Sequence, residues 1–176
     1  MRIAVVTGNP KPASRTHNVA LAVAAAVGSP AVGPPAVGPP AVVIDLAEHA
    51  ADLFDWSSAE LTRLTAEVAA ADVAIFASPT YKAAYTGMLK AFLDRYGSNG
   101  LAGVVAVPVM TGGWAGHSLA VEVHLRPVLV ELGATVPSRG LYVTEPELAT
   151  DLDGTVAKWA GAAVPLIQRA AARPAE

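Results

Sequence analysis

The 176-residue chain contains no cysteine, which excludes disulfide bonds, zinc–thiolate sites and thiol catalysis. Charged residues make up only 15% of the chain, its net charge is −3, and it has no basic run. A nucleic acid partner is therefore not expected. No segment approaches the ~20 consecutive apolar residues that span a bilayer, and the apolar stretch at 3–7 is too short for a signal peptide. We expect a cytoplasmic protein without a membrane partner.

Hydrophobic residues account for 53% of the chain, a proportion typical of a folded protein rather than a disordered one. The length fits one domain, so we expect residues 1–176 to form a single unit. A repeat of Pro-Ala-Val-Gly-Pro occupies 30–39, and proline at this density fits neither a helix nor a central strand. We interpret 29–41 as a surface loop, with a partner-binding segment as the alternative.

Apolar runs and helix signals alternate along the chain. Short apolar runs predict strands at 3–7, 42–46, 72–77, 104–110 and within 134–143. Helical periodicity with serine or threonine caps predicts helices ending at Gly28 and at Ala71, and over 86–96, 117–132 and 152–171. This alternation indicates an α/β fold: a parallel sheet covered by helices on both faces. Five strands suit the order 2-1-3-4-5.

Three prolines fall inside these predicted elements. Pro108 lies in the fourth strand, where we expect a local irregularity because proline has no N–H to donate. Pro127 is expected to bend the helix at 117–132. Pro137 is expected to interrupt the fifth strand.

Unusual loops follow the first, third and fourth strands, which the order 2-1-3-4-5 makes neighbours. Ligands bind at the carboxyl ends of such strands, so these loops predict one shared site. The first loop carries hydroxyls, an amide and cations at the start of a helix, where free N–H groups suit a phosphate: Lys11, Ser14, Arg15, Thr16 and Asn18. It matches neither the Walker A pattern nor G-x-G-x-x-G. Plain capping of the helix is the alternative.

The second and third loops are poor in acids and rich in small residues. Pro79 and the pair Gly112-Gly113 would let a flat ring lie against backbone amides, and Tyr81 or Tyr85 could cover that ring or anchor a second subunit. Ordinary surface turns are the alternative for each loop.

No constellation for hydrolysis or metal binding stands out. A Gly-x-Ser-x-Gly elbow is absent, and the four histidines lack spacing of the H-E-x-x-H kind. For His17 and His117, near the predicted site, surface or capping roles are favoured over catalysis. A site for a phosphate and a planar ring without an acid–base pair suits a protein whose cofactor carries the reaction.

Three blocks together resemble the NADPH-dependent FMN reductases, above all the branch that supplies reduced flavin in alkanesulfonate use. These blocks are Gly8-Asn9-Pro10-Lys11 with Ser14-Arg15-Thr16, Ser78-Pro79-Thr80-Tyr81-Lys82-Ala83-Ala84-Tyr85-Thr86-Gly87-Met88-Leu89-Lys90, and Thr111-Gly112-Gly113. The resemblance covers about residues 1–145, including Leu125-Arg126-Pro127-Val128-Leu129, and implies a flavodoxin-like three-layer sandwich.

The resemblance also implies roles for the site residues. The first loop would hold the FMN phosphate, through Asn9, Lys11, Ser14, Arg15 and Thr16. The other two loops would frame the isoalloxazine ring, through Pro79, Thr80, Tyr81, Lys82, Thr111, Gly112 and Gly113.

The chain departs from the family at several positions. Lys11 stands where arginine is frequent and Asn9 where serine is usual, and both keep a polar or cationic contact. Some relatives carry a π-bulge in the helix after the fourth strand, at a position that corresponds to residues 121–124 here. Val123 and His124 replace the tyrosine of those relatives, so neither the bulge nor a tyrosine-mediated tetramer follows from the resemblance.

The activity that the resemblance implies is hydride transfer from NADPH to flavin N5, with reduced FMN passing to a flavin-dependent monooxygenase. Lys82 or Arg15 would meet the NADPH 2′-phosphate. Two alternatives stay open: a reductase that retains FMN and reduces quinones, azo dyes or metal oxyanions, and a non-enzymatic electron carrier.

We also expect a homodimer or homotetramer. Apolar surface for the interface would come from Tyr85, Met88, Leu89, Phe92 and the helix from His117. Packing of that surface against the sheet is the alternative.

Overall fold

The computed structural model describes residues 1–29 and 40–172. The predicted proline-rich loop at 29–41 therefore lies almost wholly outside the described residues. Within them, no helix is long and apolar enough to cross a membrane.

Five parallel strands form one sheet in the order β2-β1-β3-β4-β5, as predicted. They are β1 (Ile3–Thr7), β2 (Val42–Asp45), β3 (Val73–Pro79), β4 (Val105–Gly112) and β5 (Leu141–Thr144). The central strands β1 and β3 are buried along their whole length, as expected for a sheet covered on both faces. This order is that of the flavodoxin-like fold.

Helices cover both faces of the sheet, which confirms the three-layer prediction. They are α1 (Arg15–Gly28), α2 (Ala59–Ala69), α3 (Gly87–Leu93), α4 (Arg126–Glu131), α5 (Glu145–Thr150) and α6 (Leu152–Ala171). One hydrophobic core lies under α2, α3 and α4, and includes Phe76 and Phe92. The other lies under α1 and α6, and includes Val23 and Ile167.

Serine and threonine side chains begin the helices that follow β1, β2 and β3. Ser14, Ser58 and Thr86 each accept a hydrogen bond from the backbone N–H three residues later. Each bond satisfies one of the N–H groups that the first helical turn leaves unpaired. Two strands run further than predicted, β3 to Pro79 and β4 to Gly112. Site residues of the second and third loops therefore belong partly to rigid strand.

The expected irregularity at Pro108 does not occur, and that prediction is wrong. The pairing of β4 with β3 continues without a break, and Phe76 lies opposite Pro108. The N–H of Ala106 donates to Thr135 O on the β5 side of β4 (2.8 Å). The backbone nitrogen of Pro108, two residues later, faces the same side. There the pairing of β4 with β5 begins only at Val109 and Leu141. The missing N–H therefore costs no ladder hydrogen bond. The fifth strand is interrupted around Pro137, as predicted.

The predicted helix at 117–132 is not one continuous α-helix. A 3₁₀ turn at Ala115–His117 is followed by a π-helical segment at Val121–Leu125 and then by α4. The π segment thus lies where the bulge of some relatives would fall, although the tyrosine is absent. Pro127 lies in the first turn of α4, where a missing N–H is tolerated.

Two hydrophobic residues predicted to offer interface surface are buried instead. Leu89 and Phe92 pack into the core between α3 and the sheet, so this part of the oligomer argument is wrong. The apolar side chains that do stand exposed on the helical stretch after β4 are Leu119, Val123 and Val130.

Candidate active site

The first loop leaves β1 at Gly8 and enters α1 at Arg15. Asn9 braces it, because its side-chain oxygen accepts the N–H of Lys11 (2.9 Å) and its amide donates to Thr16 Oγ1 (3.2 Å). Among the described residues, no protein atom accepts the N–H groups of Arg15 and Thr16. Free N–H groups at a helix start form an anion site. The capping interpretation is confirmed for Ser14 and does not compete with phosphate binding.

Thr16 also connects the first loop to the third. Its hydroxyl lies 2.8 Å from the hydroxyl of Thr111, and both residues are buried. Asn9, Thr16 and Thr111 thus form a polar chain beneath the loops that follow β1 and β4. Such a buried, satisfied network holds the loops in one relative position.

The second loop is a tight turn at the end of β3. Tyr81 and Ala84 exchange two backbone hydrogen bonds, and the residues between them, Lys82 and Ala83, both have positive φ (52° and 65°). Non-glycine residues rarely adopt this left-handed conformation, and it concentrates at functional sites. Just before the turn, Thr80 Oγ1 is a buried hydroxyl with no hydrogen-bond partner in the described part of the chain. An unpaired buried hydroxyl beside a cleft suits a ligand's polar atom.

The third loop continues β4 through Gly112 and Gly113. A Cβ at Gly112 would lie 3.2 Å from the Cβ of Thr80 and would overlap the Tyr142 hydroxyl, so only glycine lets the second and third loops approach this closely. The Tyr142 hydroxyl donates to Trp114 O (3.1 Å), which fixes the loop's exit.

These loops enclose a cleft of about 340 Å³ at the carboxyl ends of β1, β3 and β4. That volume is within the range of small-molecule sites. All the predicted site residues except Lys82 line it: Asn9, Lys11, Ser14, Arg15, Thr16, Pro79, Thr80, Tyr81, Thr111, Gly112 and Gly113. Lys82 stands exposed at the tip of its turn, outside the lining.

Asn18, whose amide the first loop was predicted to contribute, also lines the cleft, and three further residues do so: Ala13, Glu145 and Leu148. Glu145 and Leu148 belong to α5, a helix that sequence reasoning missed. Its signal was the Thr144-x-x-Glu147 pattern, which forms a capping box in the structure. The Glu147 carboxylate accepts hydrogen bonds from the hydroxyl and N–H of Thr144, and these bonds lower its pKa.

An ion pair crosses the mouth of the cleft. Arg15 Nη2 lies 2.6 Å from Glu145 Oε1, with both side chains more than half exposed. Pairs this exposed contribute little to stability, so Arg15 can exchange Glu145 for a ligand anion at small cost. Lys11 also lines the cleft.

The two histidines near the site differ in their surroundings. His17 lies behind the first loop, with Nδ1 3.0 Å from Thr7 Oγ1 and 4.0 Å from Asp45 Oδ2. His117 packs edge-on against the exposed ring of Trp114, 5.0 Å between centroids. Neither lines the cleft.

Arg126 fixes the π segment to the chain that leads into β5. Its guanidinium binds Glu122 (2.6 Å) and the carbonyls of Val136 (2.8 Å) and Ser138, while Glu122 accepts the N–H of Gly140 (2.7 Å). These bonds hold the helical stretch after the third loop against the sheet.

A family model described as NADPH-dependent FMN reductase matches residues 1–147. The chain belongs to this family. The FMN reductase (NADPH) of Escherichia coli K12 is 39% identical over 93 residues, 53% of this chain and 49% of that protein. This chain thus matches about half the length of that relative. The NADH-dependent FMN reductase SfnF of Pseudomonas putida is 28% identical, over 82% of this chain and 77% of its own.

A solved structure supports the same assignment. The apo form of an NADH:FMN oxidoreductase (EMOB) superposes with a TM-score of 0.72 at 31% identity, covering 90% of this chain and 88% of that one. The resemblance of the three loops to FMN reductases is therefore confirmed at the level of the family.

Proposed function

We propose that this protein transfers hydride from a reduced nicotinamide dinucleotide, NADPH or NADH, to FMN. The observation that carries the proposal is the convergence of three loops, from β1, β3 and β4, on one cleft in a chain of the FMN reductase family. The names of its relatives include both NADPH- and NADH-dependent reductases. Both dinucleotides therefore belong in the test.

The residues of the cleft fit the two ends of FMN. The free N–H groups of Arg15 and Thr16, the hydroxyl of Ser14 and the cation of Lys11 suit the phosphate. The unpaired hydroxyl of Thr80 suits a polar edge of the isoalloxazine ring. We assign the phosphate to the first loop and the ring to the other two.

Bound FMN would supply the atom that accepts hydride, N5 of its ring. The protein's own task is then to bind and orient the reactants and to balance charge. Asn9, Thr16 and Thr111 would hold the phosphate end fixed relative to the ring end. We place the 2′-phosphate of NADPH near Arg15 or Lys82, whose position at the exposed tip of its turn supports contact with a second, incoming molecule.

We propose that reduced FMN passes to a flavin-dependent monooxygenase. The exposed ion pair of Arg15 with Glu145 at the cleft supports exchange of flavin over permanent retention. Kinetics would distinguish this proposal from two alternatives. One is a reductase that retains FMN and reduces a quinone, azo dye or metal oxyanion, and the other is a non-enzymatic electron carrier.

The test is oxidation of NADPH and of NADH by the purified protein, with FMN varied as a substrate. We expect activity that depends on added FMN. A ping-pong pattern with tightly held FMN would indicate the retaining reductase, and flavin binding without nicotinamide oxidation would indicate the carrier. No oxidation with any flavin would refute the reductase proposal.

Two serine caps provide a matched pair of variants. Ser14→Ala and Ser58→Ala each remove a helix cap, at a stability cost of about 1 kcal/mol, but only Ser14 lines the cleft. We expect the KM for FMN to rise in Ser14→Ala and to stay unchanged in Ser58→Ala. An equal effect in both would contradict the assignment of the phosphate.

We further propose a cytoplasmic homo-oligomer, a dimer or tetramer. The exposed Leu119, Val123 and Val130 on the helical stretch after β4 support a covering partner of the same chain. A monomer in size-exclusion chromatography with light scattering, at micromolar concentration, would contradict this.

A further inference from the structure

A buried carboxylate lies behind the first loop, outside the cleft. Asp45 ends β2, is only 6% exposed and does not line the cleft. Its Oδ2 accepts the N–H of Ala13 (2.8 Å) and its Oδ1 accepts the N–H of Ala47 (3.3 Å). A buried charge requires such compensation. One of the two carboxylate oxygens thus accepts a hydrogen bond from the first loop, at a residue 32 positions away in the chain.

The residue that Asp45 holds has an unfavourable backbone. Ala13 has a φ of 48°, in the left-handed region that non-glycine residues avoid. It directly precedes Ser14, the cap of α1, and the free N–H groups of Arg15 and Thr16. The direction in which those groups point therefore depends on a conformation that Ala13 would not adopt by itself.

The sheet fixes the carboxylate in place. Asp45 is paired in register with Thr7, and His17 Nδ1 lies 3.0 Å from the Thr7 hydroxyl and 4.0 Å from Asp45 Oδ2. Asp45 is thus fixed by strand pairing with β1 and lies next to the first turn of α1, the two elements that the loop connects. The first loop, which connects β1 to α1, is thus hydrogen-bonded to the side chain of Asp45 from β2.

We propose that Asp45 is a positioning residue that gives the site its affinity for the flavin phosphate. By holding Ala13 left-handed, it orients the N–H groups at the start of α1 toward the cleft. This inference rests on the proposed function. It implies that Asp45 matters for FMN, which carries the phosphate, and not for riboflavin, which lacks it.

The experiment measures the Kd of FMN and of riboflavin for the wild type, Asp45→Ala and Asp45→Asn. We expect the FMN Kd to rise about tenfold in Asp45→Ala, the effect of losing one charge-assisted hydrogen bond. In Asp45→Asn it should rise less, because an amide oxygen can still accept from Ala13. The riboflavin Kd should change less than about twofold in either variant.

Asp151 provides the control. It caps α6, accepting the N–H of Gly154 (2.9 Å), and does not line the cleft. Asp151→Ala removes an exposed helix-capping carboxylate away from the cleft and should leave both Kd values unchanged. Equal losses for FMN and riboflavin in Asp45→Ala would overturn the inference, as would a lower FMN Kd, which would show that the carboxylate only repels the phosphate.

Hydrogen exchange separates this inference from the proposed function. The peptide covering 9–17 should exchange faster in Asp45→Ala and Asp45→Asn than in the wild type, and should be unchanged in Asp151→Ala. Unchanged exchange would overturn the inference. If the wild type binds neither flavin, the proposed function fails, while faster exchange would still support Asp45 as the group that orders the loop. Should Asp45→Ala not fold, Asp45→Asn decides both measurements.

Discussion

Replacement of Gly8 by alanine tests whether the first loop depends on close contact between β1 and α3. A Cβ at Gly8 would lie 3.0 Å from the Cα of Leu89 and closer still to its Cβ. Leu89 is fully buried in the core, so it cannot turn aside. Ordinary carbon contacts need about 3.5 Å or more, so the end of β1 and the start of α3 would have to separate by about 1 Å.

The cost follows from this displacement. Overpacking of a core costs about 1–3 kcal/mol, and the separation would also weaken the hydrogen bond from the Thr86 hydroxyl to Gly8 O (2.5 Å). We expect Gly8→Ala to lower the free energy of unfolding by roughly 2–3 kcal/mol, or Tm by about 4–12 °C. Because the displaced segment begins the phosphate loop, we also expect kcat/KM for FMN to fall by about tenfold or more.

Urea unfolding and FMN-dependent NADPH oxidation would measure the two effects. Gly87→Ala is the matched control, since Gly87 opens α3 and nothing lies within 4 Å of a Cβ there. It should match the wild type in activity and lose no stability. A Gly8→Ala protein within about 0.5 kcal/mol of the wild type, with full activity, would refute the described packing of β1 against α3.

Two carboxylates near the cleft yield further predictions. Glu145→Gln should lower the Kd of FMN about two- to fivefold, because it frees Arg15 from an exposed ion pair. Fluorescence titration measures this Kd. An unchanged or raised Kd for FMN, or an equal change in the Kd of riboflavin, would contradict the prediction. Hydrogen bonds from Thr144 hold the pKa of Glu147 below its ordinary value of 4.5. The charged carboxylate therefore stabilises the fold above pH 4.5, and this stabilisation is lost as the pH falls through the lowered pKa. Glu147→Gln should therefore unfold more easily than the wild type near neutral pH, by less than about 1 kcal/mol, and the gap in urea unfolding should close toward acid pH rather than widen.

The sheet and the site loops were predictable because their signals are local. Each central strand is an apolar run buried on both faces, and each of α1, α2 and α3 begins at a serine or threonine cap. The strand order then places the loops after β1, β3 and β4 at one edge. The cleft follows from these two facts without any long-range information.

Other features depend on contacts that the sequence does not display. The π segment at Val121–Leu125 adds a residue to a helix, although the spacing of apolar residues in the sequence predicts an ordinary α-helix there. Pro108 is tolerated because β5 does not pair with it, which only the register reveals. Lys82 stands outside the cleft lining, in a turn of positive φ, and Glu145 reaches the cleft from α5, a short helix with a weak sequence signal.

The prediction of an interface at Leu89 and Phe92 failed for a similar reason. An apolar helix face can pack against its own sheet or against a partner, and the sequence pattern is the same for both. The structure assigns these two side chains to the core. The side chains that the structure leaves exposed on the helical stretch after β4 are instead Leu119, Val123 and Val130, and Val123 lies within the π segment.

The central claim is hydride transfer from a reduced nicotinamide dinucleotide to FMN in the cleft between the three loops. Its most direct test is anaerobic rapid mixing of the FMN-loaded protein with NADPH, and separately with NADH, while the absorbance of oxidised flavin is followed. We predict its loss in a single fast phase, whose amplitude at subsaturating FMN is smaller in Ser14→Ala and unchanged in Ser58→Ala. Binding of FMN without any loss of oxidised flavin on mixing with either dinucleotide would contradict the account.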